Sequence, residues 1–141
     1  MTPIKNLFLR CDAGGWVGNS SEEKHYKIDF DLHVFDAANH PWPAFEIMCQ
    51  AIYQDIQNVS DVACVMEWVR KVEYGELDLA DVDGNAWVIN ITREKVWFEG
   101  LYSQGEGGEV SLSQFKLAVQ TYLQFLSDPE HKTVEVDFPE S

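Results

Sequence analysis

The sequence predicts an α+β fold: one two-layer domain spanning residues 1–141, built on a mainly antiparallel sheet of five or six strands with helices packed on one face. Three observations predict it. The length suits one domain, and the hydrophobic fraction of 45% with an aromatic fraction of 13% suits a packed core. Several short runs alternate apolar and polar residues with the period of a strand. Other runs lengthen that period to the spacing of a helix, and no repeat or second domain interrupts the pattern.

The elements follow in order. NLFLRC (6–11) reads as a short strand, and the glycines and Asn-Ser of DAGGWVGNSSEEK mark a loop. In YKIDFDLHVFD (26–36), Tyr26, Ile28, Phe30, Leu32 and Val34 face one way, and Lys27, Asp29, Asp31 and His33 the other. That is a strand with one buried and one wet face, paired antiparallel with the first. NHPWP (39–43) breaks the chain, and Phe45, Met48, Cys49, Ile52 and Ile56 then recur at helical spacing, predicting a helix over 43–57. Ser60 or Asp61 caps a second helix carrying Val62, Val65, Met66, Val69 and Val72, with Gly75 as its stop. The β-branched content of this segment leaves a strand over 62–69 as the alternative.

A meander follows. GELDLADV (75–82) leads into Asp83-Gly84, a pair favoured in tight hairpin turns, and AWVINIT (86–92) returns. Arg93-Glu94-Lys95 turns the chain into a third strand, VWFEGLYS (96–103), and GEGGEV (105–110) reads as a glycine-rich loop. Ser111 with Gln114 three positions on is a capping box. Behind it Phe115, Ala118, Val119, Tyr122, Leu123 and Leu126 form a helical core stripe that leaves Lys116 in solvent. HKTVEVDFPES (131–141) ends the chain with a short alternating edge strand.

Charge narrows the function. Twenty-four acids against ten bases give a formal charge of −14. Binding nucleic acid requires counterion release by Lys and Arg, and an anionic membrane surface repels such a chain, so neither is an expected partner. Long-range attraction to a basic protein is favoured. No signal-peptide pattern and no apolar run near the ~20 residues of a membrane span is visible, so a cytoplasmic location is expected. Cys11, Cys49 and Cys64 are odd in number and widely spaced, which suggests free thiols rather than disulfides or a zinc knuckle.

Within ELDLADVDGNAWVIN (76–90), Glu76, Asp78, Asp81 and Asp83 stand without a base among them. A calcium loop with Gly84 sixth would need acids at positions occupied by Leu79 and Asn90, so the metal reading fails on spacing. A catalytic carboxylate pair would need a cleft that raises a pKa, whereas these acids alternate with Leu77 and Leu79 as on a solvated strand face. His25, His33, His40 and His131 lie apart and outside any nucleophile motif, and AGGWVG (13–18) lacks the spacing of a phosphate loop. The expectation is a protein that is not an enzyme and carries no cofactor or metal. Its partner-binding surface is expected at Glu73, Tyr74, Glu76, Asp78, Asp81, Asp83, Glu99 and Glu106, with one or two of Tyr74, Trp87, Trp97 and Tyr102 lying among the acids. A plain solvated face is the competing reading.

The segment VWFEGLYSQGEGGEVSLSQFKLAVQTYLQFLSD resembles immunity proteins of bacterial polymorphic-toxin systems, those of contact-dependent growth inhibition in particular. Trp97, Phe98, Glu99, Leu101 and Tyr102 match a strand phrase of that family, and Phe115, Val119, Phe125 and Leu126 match the helix after it. The resemblance covers roughly the last 55 residues. It implies a non-enzymatic inhibitor that binds one cognate toxin, often a basic nuclease, with acidic side chains standing in for nucleic-acid phosphates. Interfaces in that family vary in position, so the residues named above rest on charge and pattern alone. A small-molecule-binding or enzymatic domain with a pocket between sheet and helices is the alternative, and an acidic adaptor a third.

Overall fold

The computed structural model describes residues 6–17, 27–102 and 106–140, without the side chains of 14–17, 27–30 and 106. The chain runs β1 (Phe8–Val17), β2 (Lys27–Phe35), a 3-10 turn (Pro43–Phe45), α1 (Glu46–Asp55), α2 (Val59–Glu73), β3 (Ala80–Asp83), β4 (Trp87–Ile91), β5 (Lys95–Gly100), β6 (Glu106–Ser111), α3 (Leu112–Ser127) and β7 (Val134–Asp137). The α+β class with antiparallel pairing is as expected. The strands divide into two sheets, ordered β2-β1-β7 and β3-β4-β5-β6, with every pair antiparallel.

The helices join the sheets. α1 packs against β2 of one sheet and β4, β5 and β6 of the other, and α3 against β1, β7, β5 and β6. α2 lies along β3, β4 and α3. One continuous core results, with Leu9, Cys11, Leu32 and Val34 from the first sheet, Ile89, Ile91, Val96 and Phe98 from the second, and Met48, Ile52, Val69, Phe115, Val119 and Tyr122 from the helices. Alternation in β2 holds where its side chains are described: Leu32 and Val34 are buried and Asp31 is exposed. Tyr26, and the side chains of Lys27, Ile28, Asp29 and Phe30, lie outside the described set.

Helix boundaries follow local chemistry. α3 carries the full capping box, Ser111 Oγ accepting from Gln114 N at 3.1 Å and Gln114 Oε1 accepting from Ser111 N at 2.8 Å. The segment 62–72 is helical, which settles the strand alternative. Its cap is Asn58 rather than Ser60 or Asp61. Asn58 Oδ1 accepts from Asp61 N at 2.8 Å, while Asp61 Oδ2 reaches back to accept from Gln57 N at 2.9 Å. Gly75, at φ +80°, ends the helix as expected, with Gly75 N donating to Val72 O at 3.1 Å and Glu76 N to Lys71 O at 2.9 Å.

Two glycine-rich segments expected to be loops are strands. β1 runs through Gly14-Gly15 to Val17, with one extra residue accommodated between Ala13 and Trp16. GEGGEV supplies β6. A Cβ on Gly108 would fall 2.6 Å from Ile47 Cβ, so glycine lets this edge strand lie against α1.

The β3–β4 connection departs further from expectation. Asp83 pairs with Val88, so the loop is longer than two residues, and Gly84 does not have positive φ. Its glycine serves close approach: a Cβ there would overlap the Asp55 carboxylate. That carboxylate, at the end of α1, accepts from Asn85 N at 3.1 Å, Ala86 N at 2.9 Å and Trp87 N at 2.8 Å. Beside it Gln54 Oε1 accepts from the buried Trp87 indole at 2.7 Å. Asp55→Ala strands these donors and should cost about 1–3 kcal/mol in denaturant unfolding. Asp55→Asn, which keeps one acceptor, should lose less. Unfolding of Asp55→Ala at the wild-type midpoint would show that the clasp contributes nothing.

Cys11 and Cys49 are buried free thiols, and Cys64 is exposed. Burial, with the Asp12 charge adding, pushes Cys11 up to about 12, and burial likewise raises Cys49. No helix among the described residues is long and apolar enough to cross a membrane.

Candidate functional site

The expected acidic residues separate into two groups, because the chain between Glu76 and Asp83 is not one strand. Glu76 and Asp78 share one parity, Asp81 and Asp83 the other, so a continuous strand would put them on opposite faces. The chain resolves this by turning through 74–79 and starting β3 only at Ala80. Ala80 and Val82 then point inward. Leu79, expected on a buried face, is exposed, while Leu77 packs at the margin of the core.

The first group surrounds the end of α2 and is mixed in charge. Glu73 is held by Lys116 of α3, Nζ to Oε2 at 2.6 Å, so it is a strut between helices. Glu76 lies 3.9 Å from Arg70, which also pairs with Glu67 and sits 5.8 Å from the ring centroid of Tyr74. Tyr74 is 72% exposed. Asp78 lines a shallow cleft of about 300 Å³ with Leu77, Arg93 and Glu94.

The second group occupies the outer face of the four-stranded sheet. Trp87, Ile89, Ile91, Val96 and Phe98 turn into the core, so the alternate residues of these strands face outward. Register aligns them in rows. Asp83, Val88, Glu99 and Glu106 lie side by side across β3, β4, β5 and β6, and Asp81, Asn90 and Trp97 form the next row. Asp81, Asp83 and Glu99 are exposed, and Val88 and Trp97 half-buried. The Glu106 side chain lies outside the described set, but its backbone pairs directly with Glu99. Among the described residues no element covers this face. Past the end of β5, Leu101 and Tyr102 are 46% and 73% exposed. Of the aromatics expected among acids, Trp97 lies in these rows, whereas Trp87 is fully buried.

Asn90, Lys95 and Glu109 complete the face; of these, the sequence marks Glu109 as one of the recurring acids. Asn90 is only 5% exposed. With its amide set by the surrounding hydrogen bonds, it donates to Asp81 Oδ1 at 2.5 Å and accepts from Trp97 Nε1 at 3.3 Å, fixing both neighbours. Lys95 Nζ lies 2.9 Å from Glu109 Oε2 and 5.3 Å from the Trp97 ring centroid. A polar residue alternating with the apolar ones of AWVINIT is the available signal for Asn90. Glu109 is legible as an acid, but the glycines around it give its strand the composition of a loop.

The outer face of the other sheet is also acidic: Asp12 pairs directly with Asp31 across β1 and β2, and Glu135 and Asp137 lie exposed on β7, against Arg10. Arg10 lies over the rings of Phe8 and Phe35, 5.3 and 4.6 Å from their centroids, pairs with Glu135 at 2.6 Å and donates to Asn39 Oδ1 at 2.9 Å. His33, expected to be a plain surface residue, is half-buried with Nδ1 3.5 Å from Glu46 Oε2. Among the described residues no group of three or more His, Cys, Asp or Glu is arranged to hold a metal ion.

The chain matches no protein-family model, no curated protein and no solved structure.

Proposed function

We propose that this protein is an immunity-type inhibitor: it acts on no substrate and neutralises a basic toxin domain, of the nuclease class, by docking the outer face of β3-β4-β5-β6 against it. The observation that carries this reading is the set of exposed carboxylates Asp81, Asp83 and Glu99, which share one outer sheet face with Trp97. Carboxylates gathered on one face repel one another. A basic partner offsets that repulsion, and a chain of formal charge −14 steers such a partner in from a distance. Nucleic-acid phosphates present negative charge to a nuclease in the same sense, which is why a carboxylate face suits this class of toxin. The resemblance of the C-terminal part of the chain to the immunity-protein family supports the same reading from the sequence side.

Co-expression with the product of the gene immediately upstream tests it. The two proteins are expected to co-purify as a complex at low salt, with the toxin's activity suppressed. Two folded proteins that fail to associate at any ionic strength would sink the proposal.

A further inference from the structure

The outer sheet face carries a pattern for holding one cation, and the chain itself fills it. Lys95 places its ammonium 5.3 Å from the Trp97 ring centroid and 2.9 Å from the Glu109 carboxylate. An aromatic face beside a carboxylate is the arrangement that attracts a lysine or, better, the flat guanidinium of an arginine. The ring is also held in place. Asn90 accepts from its indole N–H at 3.3 Å and donates to Asp81 at 2.5 Å, so one nearly buried amide orients both the ring and a carboxylate beside it. A buried asparagine on an open face has little to gain from packing, whereas it lowers the ordering cost of binding by preorganising its neighbours.

We infer that Trp97 is the anchor of this face, receiving an arginine side chain of a basic protein partner, and that Lys95 occupies the place of that arginine in the free protein. The inference deepens the proposed function and rests on its docking face. Lys95 is about half exposed, so its ion pair with Glu109 is screened and readily exchanged. On docking, the incoming guanidinium takes the ring and Glu109, and Lys95 swings into solvent. The carboxylates of Asp81, Asp83 and Glu99 on the same face then meet flanking basic side chains of the same partner.

A hexa-arginine peptide serves as the probe, followed by the indole and side-chain amide signals in nitrogen-resolved NMR of the whole chain. Saturable shifts are expected at Trp97 Nε1–H and at the Asn90 amide, with smaller changes at the other indoles. Trp97→Leu, which keeps apolar bulk and removes the ring, should weaken peptide binding at least fivefold. The control for a change elsewhere on the surface is Glu140→Gln, an acid in the C-terminal segment, which should leave it within twofold. Lys95→Met frees the ring and should tighten binding at least threefold, beyond the effect of Lys132→Met, which removes one positive charge elsewhere. Equal effects of Lys95→Met and Lys132→Met, or binding indifferent to Trp97→Leu, would overturn the anchor. In that case weakened binding in Asp81→Asn/Asp83→Asn/Glu99→Gln would still leave the acidic docking face standing. Binding unchanged in both Trp97→Leu and this triple variant would remove the face together with its anchor.

Discussion

Phe115→Ala is expected to destabilise the protein by about 3–5 kcal/mol, the range for removing a fully buried phenylalanine. Phe115 has no exposed surface, and its ring centroid lies 6.1 Å from that of Phe98 at an interplanar angle of 53°. It therefore sits where α3 meets the inner face of the four-stranded sheet, and alanine there opens a cavity bounded by two rigid elements. Leu123, on the same predicted stripe, is only half-buried, so Leu123→Ala should cost about half as much, in proportion to the apolar area lost. Lys116, expected in solvent, instead reaches Glu73, yet both side chains are about one-third exposed, so Lys116→Ala should lose at most about 1 kcal/mol. Denaturant unfolding of the three variants checks the order. Equal losses for Phe115→Ala and Leu123→Ala would mean that α3 is rotated about its axis, away from the orientation that buries Phe115.

Asp81→Asn/Asp83→Asn/Glu99→Gln is expected to slow association with the basic partner at least tenfold at low ionic strength. These substitutions keep shape and remove three negative charges from one face. Asn at position 81 can still accept from Asn90. Charges at an interface act mainly through the association rate, so the defect should shrink near 1 M salt, where the Debye length falls to about 3 Å. Folding stability should hold or rise, since repulsion within an acidic chain is relieved. Glu76→Gln/Asp78→Asn is the informative comparison. Those carboxylates stand near Arg70 and Arg93, so their loss should change the rate less. A larger defect in this pair than in the sheet triple would place the interface at the end of α2 instead.

The sequence by itself determined the features whose cause lies within a few residues. Ser111 and Gln114 start α3 because each side chain satisfies the other's backbone N–H, and Gly75 ends α2 because it accepts φ +80° without a Cβ clash. The alternation through Leu32 and Val34 fixed which side of β2 is buried. Other readings failed where the deciding partner lies far along the chain. Asp83-Gly84 carries a turn signature, but the loop takes its form from Asp55, whose carboxylate gathers three backbone N–H groups and leaves no room for a Cβ at position 84. GEGGEV lacks side chains to show a strand period, and it is a strand because β5 pairs with it and Ile47 packs against it. The acids of 76–83 change parity between Asp78 and Asp81, and tertiary packing chose Ala80 and Val82 as the inward pair. That choice put Asp81 and Asp83 in line with Trp97 and Glu99 while leaving Glu76 and Asp78 in a turn. Caps and periods are set by local sterics and hydrogen bonds. The neighbours of a strand and the face it shows to solvent are set by the long-range burial of apolar surface, which one chain segment cannot specify alone.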